Sequence, residues 1–406
     1  MHVDCGTLVD GTGEVIEDAR LRIEDGEVAA IGPRKDVAAD GDRIDHTDAV
    51  VVPGFIDAHV HVQGLRTMDP TDWVLADDAE CAARATVDCR RLLEAGFTSV
   101  RDLGSTVALG LRAAIEDGEV PGPRIYTSGR SISQTGGHGD AHFLPYEWAE
   151  EDGFGIAELA DGEAECRKVA RKRLRAGVDC LKIMTTGGVL SQRDEPDHPQ
   201  FTDAEIRALV EEAHRAGLPV ASHAQGAAGV KAALRNGVDT IEHGFHLDEA
   251  AIDLLLETDA TLVPTLAIVF RIVEAGAEHG VPEYGLRKAR SAFEAHVESI
   301  RRAHEAGVPI AAGTDFVGAP LVPHGENALE MELLVEEVGL SPLEAIEAAT
   351  GVAGRTLPDD VGALAPGSRA DFLALGADPR DDIAAVREVT AVYRDGTRVA
   401  GGADDL

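Results

Sequence analysis

Five junctions in this chain share one pattern, in which a helical stretch ends in glycine and passes directly into an apolar strand. They are Ala95-Gly96-Phe97, Ala176-Gly177-Val178, Ala216-Gly217-Leu218, Asn236-Gly237-Val238 and Ala306-Gly307-Val308. Glycine just past a helix end takes the left-handed conformation that closes the last turn. A repeated helix–glycine–strand unit is typical of a parallel α/β fold.

The hydrophobic pattern predicts a series of strands in the middle of the chain, separated by helical stretches. They are Val50–His61, Phe97–Asp102, Arg124–Ser128, Val178–Met184, Pro219–His223, Thr240–His243, Thr261–Thr265 and Pro309–Asp315. About eight βα units over roughly 300 residues fit a (β/α)8 TIM-like barrel. A doubly wound sheet is the alternative, but no glycine-rich phosphate-binding pattern follows the first strand.

Both ends of the chain carry short β-like pieces that are too small to form a core alone. They are Thr7–Val9, Ala19–Ile23 and Val28–Ile31 near one end, and Asp371–Leu375 and Val389–Tyr393 near the other. Turn-forming Asp-Gly, Gly-Pro and Pro-Gly pairs bound these pieces. We predict that residues 1–52 and 357–406 pair into one composite β-sandwich domain, with a barrel of residues 53–356 between them.

The net charge of the chain excludes some classes of binding partner. With 73 acidic against 37 basic residues the net charge is −36, and the acidic residues are spread along the whole length. Such a charge repels nucleic acid and anionic membranes. It also repels itself at low salt, because the screening length is about 30 Å at 0.01 M and about 3 Å at 1 M. We interpret it as adaptation to a salty cytoplasm; the alternative is an ordinary acidic protein.

The five cysteines are scattered and include no CxxC pair. This argues against a disulfide framework and against a cysteine zinc site. The N-terminus lacks a signal-peptide pattern, and no apolar run reaches the roughly 18 residues that a membrane span needs. We expect a soluble, cytoplasmic protein that acts on a small molecule, binds neither nucleic acid nor membrane, and forms a homo-oligomer.

His59 and His61 end the first predicted strand of the barrel. Residues two apart on a strand point to the same side, so both imidazoles project together. Two neutral imidazoles form a natural seat for zinc or a similar divalent metal. An isolated HxH is more often a pair of polar residues on a half-buried strand, so the interpretation depends on what else reaches this position.

Polar residues end four further predicted strands. Lys182 lies in the fourth strand, His223 and His243 end the fifth and sixth, and Asp315 ends the eighth. Barrel enzymes place their sites at these carboxyl ends, so we expect the six side chains to converge. Only six of the 37 basic residues are lysines. A buried lysine loses its proton readily, and a neutral amine beside metal ions can react with carbon dioxide to form a carbamate that bridges two metals.

Nine short motifs along the chain together point to one protein family. They are PGFIDAHVHV (53–62), TGGHGD (135–140), LKIMTTGGVLS (181–191), SHAQG (222–226), IEHG (241–244), GTDF (313–316), HGENALEMELLVE (324–336), SPLEAIEAAT (341–350) and GALAPGSRADFLAL (362–375). In this order the chain resembles the amidohydrolase superfamily, and within it the metal-dependent dipeptidases and prolidases related to imidazolonepropionase.

The resemblance implies a site with two divalent metal ions, with zinc the expected metal. His59, His61 and Asp315 would hold one ion, His223 and His243 the other, and carboxylated Lys182 would bridge both. A hydroxide between the ions would attack the scissile carbonyl, and Asp315 would transfer its proton to the leaving amine. His138 resembles a substrate-contacting and catalytic histidine of the family. Three further candidates for substrate binding are His142, Gly188 and Gln225.

The expected reaction is hydrolysis of the amide bond of dipeptides or N-acyl amino acids, as in an Xaa-Pro or Xaa-Arg/Lys dipeptidase. One alternative is a cyclic amidine or imidazolone hydrolase, or a deaminase, of the same superfamily. Deaminases usually lack the lysine and carry a catalytic Glu shortly after the fifth-strand histidine, where this chain has Ala-Gln-Gly-Ala. A different class of alternative is a metal-free scaffold protein. We predict that His214, His279, His296 and His304 are solvated.

Overall fold

The computed structural model describes residues 1–150 and 157–401. In those residues the strands are β1 (His2–Val9), β2 (Val15–Glu24), β3 (Glu27–Pro33), β4 (Arg43–Pro53), β5 (Phe55–Val60), β6 (Phe97–Asp102), β7 (Arg124–Thr127), β8 (Ser131–Ser133), β9 (Ala157–Leu159), β10 (Leu181–Met184), β11 (Val220–Gly226), β12 (Thr240–His246), β13 (Thr261–Val263), β14 (Phe372–Leu375), β15 (Val389–Arg394) and β16 (Thr397–Ala400).

The helices are α1 (Pro70–Leu75), α2 (Asp78–Glu94), α3 (Ala108–Glu116), α4 (Tyr146–Glu150), α5 (Gly162–Ala176), α6 (Asp203–Arg215), α7 (Ala227–Arg235), α8 (Glu249–Thr258), α9 (Leu266–Ala275), α10 (Glu283–Glu305), α11 (Leu329–Leu333), α12 (Pro342–Ala348) and α13 (Gly351–Gly354). Short 3-10 turns cover Gly276–His279 and Ile383–Arg387, and a π turn covers Leu334–Val338. No helix in these described ranges is both long and apolar enough to cross a bilayer.

Strands from both ends of the chain form one seven-stranded sheet, in the order β16-β15-β14-β4-β1-β2-β3. β14 runs antiparallel to β4, with Phe372 opposite Pro53 and Leu375 opposite Val50. The Phe372 and Tyr393 rings stack at 4.2 Å between centroids in the core of this sheet. The two ends of the chain therefore pair in one sheet. Residues 402–406 of the predicted terminal domain lie outside the described residues.

The middle of the chain forms parallel sheets, in the orders β13-β12-β11-β10-β8-β9 and β5-β6-β7. This confirms the α/β class. The five predicted glycines after helices all have positive φ, between 76° and 91°. Their left-handed backbone turns each helix end directly into the following strand.

Two strand predictions are wrong in detail. The predicted strand Val50–His61 is divided at Gly54, so that β4 joins the terminal sheet and β5 joins a parallel sheet. A Cβ at Gly54 would lie 2.1 Å from Thr98 Oγ1, so only glycine permits this close approach. The segment 309–315 is not a continuous strand, because Pro309 has no N–H and Asp315 is left-handed, with φ 60°. The structure also contains β8 and β9, which the hydrophobic pattern did not predict.

Backbone hydrogen bonds nevertheless hold the segment 309–316 between β13 and β5. Ala311 N donates to Leu262 O at 2.9 Å, and Ala58 N donates to Ala312 O at 2.9 Å. Asp315 N then donates to His59 O at 2.7 Å. This last bond brings the end of the chain's middle region against the strand that carries the first histidines.

Candidate active site

One cavity of about 150 Å³ lies at the carboxyl ends of the parallel strands. The six residues that the sequence singles out all line it: His59, His61, Lys182, His223, His243 and Asp315. Four imidazoles, one amine and one carboxylate from distant parts of the chain therefore share one cavity.

Asp315 lies close to both histidines of β5 and its extension. Its Oδ1 is 2.9 Å from His61 Nε2 and 3.5 Å from His59 Nε2. Lys182 Nζ lies 3.3 Å from the same His59 nitrogen. On the other side of His59, the ring of His243 is 5.2 Å away between centroids, and His223 follows at 4.6 Å from His243. Three possible ligand atoms lie within 4.8 Å of one another, one each from His59, His243 and Asp315.

Each of the four histidines has one ring nitrogen bound to a protein partner. His59 Nδ1 lies 2.8 Å from Glu242 Oε2, and His61 Nδ1 lies 2.8 Å from Gly104 O. His223 Nε2 lies 2.9 Å from Gly187 O, and His243 Nδ1 lies 2.7 Å from Thr265 Oγ1. Such partners orient an imidazole and leave its second nitrogen as a ligand for metal. The donor set therefore fits a divalent ion.

The protonation states of His59, His223, His243 and Asp315 also suit metal binding, whereas at His61 burial disfavours the cation but Asp315 outweighs it and raises the pKa. Burial lowers the pKa of His59 to about 4, and it holds the pKa values of His223 and His243 well below their usual range. Burial also lowers the pKa of Lys182 to about 8. For Asp315 burial disfavours the anion, but the neighbouring histidines outweigh it and lower the pKa. Neutral imidazoles and an ionised carboxylate are the forms that bind zinc.

Behind His59 lies a buried ion pair that sequence reasoning missed. Glu242 accepts from Arg101 Nη2 at 2.9 Å through Oε1, and its Oε2 faces His59 Nδ1. Thr240 Oγ1 donates to the same Oε1 at 2.6 Å, and Arg101 Nε donates to Ala58 O at 2.7 Å. Arg101 and Glu242 are fully buried. The position of Glu242 directly before His243 was the available signal, but its partner on β6 was not visible in the sequence.

A second support under the site is Asp57, which joins β5 to the segment 309–316. Its carboxylate accepts from the backbone N–H of His59 and of Thr314, each at 3.0 Å, and from Thr314 Oγ1 and Asn327 Nδ2, each at 2.7 Å. Burial raises the pKa of Asp57 to about 6 despite these donors. Sequence analysis did not select Asp57, although it precedes His59 by two positions on the same strand.

Two site residues have left-handed backbones that are uncommon outside glycine. The φ angles are 77° at His243 and 60° at Asp315. In a regular strand Glu242 and His243 would point to opposite faces. The left-handed turn at His243 interrupts that alternation, so that Glu242 supports His59 while His243 itself enters the cavity. Such local strain is typical of functional sites.

The remaining sequence candidates take different positions. His138 lines the cavity and stacks on His223, with 4.1 Å between ring centroids. His142 also lines it, and its Nε2 is buried without a hydrogen-bond partner among residues 1–150 and 157–401. Gln225 lines a smaller adjoining cavity, where its Oε1 is likewise buried and has no partner in the described part of the chain. Gly188 packs against His138, and a Cβ there would lie 2.3 Å from His138 Cε1.

The prediction of a solvated His296 is wrong. The side chain is fully buried on α10, where Nε2 lies 3.1 Å from His243 O and the ring packs 4.2 Å from that of Phe245. Burial lowers its pKa to about 3, so it is a neutral residue that holds the backbone of His243. The sequence showed only a histidine on a helix, because the α10 face that meets β12 depends on the tertiary packing.

The wall of the cavity away from the histidines is largely apolar. It includes Leu65, Trp73, Phe143, Leu190 and Ile268. Trp73 Nε1 donates to Thr67 O at 2.7 Å, which fixes the indole at the wall. Lys182 is the one Lys or Arg among the lining residues that the structure describes. The five cysteines are free and buried, and none of them lines this cavity among the described residues.

A model of the amidohydrolase family matches residues 50–399 of the chain. This protein belongs to the amidohydrolase family. The match covers the middle region together with most of the C-terminal strands, and it confirms the family resemblance of the motifs.

Individual members of the family extend over nearly the whole chain. Ochratoxinase from Aspergillus niger is 34% identical over 98% of this chain and 86% of the relative. The crystal structure of A. niger ochratoxinase aligns with a TM-score of 0.93, 32% identity, and 100% and 98% coverage of the two chains. The structure of a Xaa-Pro dipeptidase with bound methionine gives a TM-score of 0.87 at 32% identity, covering 98% of each. Imidazolonepropionase from Salinispora tropica is 28% identical over 91% of this chain and 92% of the relative.

As an amidohydrolase, the protein is a metal-dependent hydrolase of carbon–nitrogen bonds that acts on a small molecule. The donor set of His59, His243 and Asp315 is the candidate seat of its metal. The prediction of an enzyme of this class is confirmed, and the metal-free scaffold is disfavoured.

Proposed function

We propose that this amidohydrolase cleaves the amide bond of dipeptides or N-acyl amino acids that carry a bulky apolar group. The observation that carries the proposal is the convergence of four imidazoles, Lys182 and Asp315 on one cavity, each imidazole with one nitrogen bound to the protein. His59, His61 and Asp315 would hold one ion, and His223 and His243 a second. Carboxylated Lys182 would bridge the two.

Zinc is the expected metal, because the ligands are imidazole nitrogens and carboxylate oxygens. When bound, the pair of ions lowers the pKa of water to near neutrality and polarises the scissile carbonyl. Asp315 is the general base and acid in this proposal. Its carboxylate lies 2.9 Å from His61 and is ionised, so it can take a proton from the attacking water and return it to the leaving amine.

The surroundings of Lys182 favour its carboxylation to the proposed bridging carbamate. Its side chain is 3% exposed, and Nζ lies 3.3 Å from the nitrogen of His59 that faces the cluster. Charged lysine is costly to bury. Carboxylation would turn this cation into an anion with two oxygens, which matches the needs of two cations.

The apolar wall around Trp73 favours a substrate with an aromatic or large aliphatic group on one side of the amide. Burial of such a group contributes roughly 25 cal/mol per Å² of apolar surface. Besides Asp315, the one carboxylate among the described lining residues is Asp140, so an Arg or Lys side chain would find little anionic surface there. We therefore rank apolar N-acyl amino acids and dipeptides above Xaa-Arg or Xaa-Lys.

The test is a hydrolysis screen of the zinc-loaded protein in molar potassium chloride. N-acyl phenylalanine, N-acyl leucine, Xaa-Pro, Xaa-Arg and Xaa-Lys substrates would be compared with cyclic amidines and imidazolones. We expect amide hydrolysis to be greatest for the apolar substrates. Ammonia release from cyclic amidines without amide cleavage would assign the alternative reaction instead.

Two further expectations belong with this proposal. The hydrogen bonds of the segment 309–316 to β5 and β13 support a closed (β/α)8 barrel around the cavity. The charge of −36 supports function in a salty cytoplasm. The oligomeric state would be measured by light scattering under the same conditions.

A further inference from the structure

Behind His138 lies a chain of buried polar groups that the reaction scheme does not use. His138 Nδ1 lies 2.9 Å from Ser191 Oγ, and Ser191 Oγ makes a close hydrogen bond to Asp194 Oδ1. Ser191 and Asp194 are 6% and 5% exposed. The three side chains therefore form a continuous path that leads away from the catalytic cavity.

We propose that Ser191 and Asp194 are positioning residues that hold His138 in the tautomer with its proton on Nδ1. The predicted change in turnover rests on the proposed function, whereas the predicted position of the proton does not. The geometry decides the direction of the hydrogen bonds. The Ser191 hydroxyl has two acceptors, Gly188 O at 3.1 Å and the closer Asp194 Oδ1. A carboxylate accepts only and carries the charge, so the hydroxyl donates to Asp194 and its oxygen accepts from His138 Nδ1. The reverse direction would bring a hydroxyl lone pair against the carboxylate.

The anion at the end of this path is anchored from several sides. Gln200 Nε2 donates to Asp194 Oδ2 at 2.9 Å, and Gln200 Oε1 accepts from His138 N at 2.9 Å. Gly188 N donates to Asp194 Oδ1 at 3.3 Å. Gln200 thus fixes the backbone of His138 and the carboxylate of Asp194 at once.

Lys288 of α10 supplies the opposite charge. It is 1% exposed, and Nζ lies 3.6 Å from Asp194 Oδ1. Nζ also donates to Gly188 O at 2.9 Å, to Ser191 O at 2.8 Å and to Asp194 O. One buried lysine therefore binds the segment 188–194 to α10 and balances the carboxylate that faces Ser191. Such an arrangement is rigid, because a buried charge tolerates little displacement from its partners.

The consequence appears at the other nitrogen of His138. The ring lines the cavity, and its Nε2 has no protein partner among the residues that the structure describes. With the proton held on Nδ1, Nε2 presents a lone pair. A substrate N–H or O–H group therefore meets an acceptor at this point of the cavity.

The test compares Ser191→Ala and Asp194→Asn with Ser133→Ala as a matched control. Ser133 is buried in the same region and its Oγ accepts from Gly139 N, but it does not contact the His138 ring. The proton on His138 would be located by ¹H–¹⁵N NMR of zinc-loaded protein labelled with ¹⁵N-histidine, with the signals assigned through His138→Gln. Metal content, kcat and KM would be measured for each variant.

In the native protein we expect the proton on Nδ1. In Ser191→Ala the acceptor for the Nδ1 proton is lost, and the proton should move to Nε2. In Asp194→Asn the charge that holds the Ser191 hydroxyl is lost, while Gly188 N still needs an acceptor at the Oδ1 position. We expect kcat to fall on the order of tenfold or more in Asp194→Asn and Ser191→Ala, with metal content unchanged and Ser133→Ala near native.

A proton on Nε2 in the native protein would overturn the proposal, as would a Ser191→Ala effect no larger than that of Ser133→Ala. If Asp194→Asn fails to fold because Lys288 loses its counter-ion, Ser191→Ala decides, since it leaves that ion pair intact. The proton position is independent of substrate. A native protein with the Nδ1 proton but without amide hydrolysis would refute the proposed function and leave the positioning role standing.

Discussion

His59 Nδ1 lies 2.8 Å from Glu242 Oε2, although 183 positions separate the two residues in the chain. The second oxygen of Glu242 binds Arg101, so one buried carboxylate orients the imidazole of a candidate metal ligand and neutralises a buried guanidinium. Glu242 precedes His243 directly, which means that one short strand supplies both a candidate ligand and the support of another.

Glu242→Gln should weaken metal binding and destabilise the fold. A glutamine can accept from His59 or from Arg101 through its oxygen, but its N–H₂ then faces the other donor. We expect a fall of about 10–100-fold in metal affinity and a loss of about 3–5 kcal/mol in the free energy of unfolding, because Arg101 keeps a buried unpaired charge. Competition with a chelator and urea unfolding would measure the two effects.

The matched control is Glu212→Gln on α6. Glu212 is itself buried, but its partners Arg167 and Arg171 on α5 are partly exposed, and the cluster lies away from the cavity. Metal affinity should be unchanged there, with only a small loss of stability. Equal metal affinity in Glu242→Gln and the native protein would contradict the role assigned to Glu242.

Lys182→Ala should remove the bridge between the two ions. The ion held only by His223 and His243 should be lost first, and activity should fall by orders of magnitude. Added acetate or propionate should restore part of the binding, because a short carboxylate can occupy the vacated space. Lys182→Arg should not respond, since guanidinium fills that space and stays charged. Metal content and turnover would be measured with and without acid.

The control for this series is Lys231→Ala, since Lys231 pairs with Asp248 near the protein surface. It should keep two metals and normal turnover. Two bound metals and near-native turnover in Lys182→Ala without added acid would show that Lys182 is a core lysine without a role in catalysis.

Trp73→Ala should reduce affinity for apolar substrates. The indole contributes a fixed apolar surface to the cavity wall, and its loss should raise KM about tenfold with kcat nearly unchanged, because binding in the ground state and transition state is lost equally. Trp148→Ala is the control, since Trp148 is 52% exposed and does not line the cavity. Similar KM values for the native protein, Trp73→Ala and Trp148→Ala would show that Trp73 does not contribute to substrate binding.

Asp4 should make the terminal sheet sensitive to acid. Its carboxylate accepts from Arg20 Nε at 2.7 Å and from Arg43 Nε at 2.8 Å. Burial raises the pKa of Asp4, but the two arginines outweigh it and lower the net pKa below 3.8. The folded pKa lies below the unfolded value of about 3.9, so the stabilisation is present above that pH and is lost as pH falls through the folded pKa.

Unfolding of the native protein and Asp4→Asn would therefore be compared from pH 3 to pH 7. The difference in the free energy of unfolding between the native protein and Asp4→Asn should be constant above about pH 5. It should decrease below about pH 4. Asp253→Asn, at an exposed position of α8, should follow the native protein across the range. A native advantage that does not change with pH would show that Asp4 stabilises the sheet by packing alone.

Dilute buffer should destabilise the protein. With a net charge of −36, the repulsion between acidic residues is unscreened near 0.01 M salt and largely screened at 1 M. We expect a lower melting temperature and faster loss of activity at the lower salt concentration. Calorimetry in both conditions is the measurement, and equal melting temperatures would contradict adaptation to salt.

Local chemistry made much of the fold predictable. The glycines after helices report a backbone that only they adopt easily, and all five have it. His59 and His61 share a face because residues two apart on an extended chain do, and Lys182 and His223 lie on strands that end at the same cavity. His243 and Asp315 reach it through left-handed backbone positions that the sequence pattern did not predict. Strand ends in a parallel fold meet at one edge, so the convergence of these six required no knowledge of individual contacts.

The residues that support the candidate metal ligands could be identified only from the tertiary structure. Asp57 meets Asn327 across 270 positions, and Arg101 meets Glu242 across 141. His296 is buried because α10 packs on β12, and Gly54 divides a continuous apolar run because Thr98 lies against it. A sequence specifies which way a side chain points on its own element. Which polar group it meets depends on the order and register of distant strands, because hydrogen bonds form only within about 3 Å.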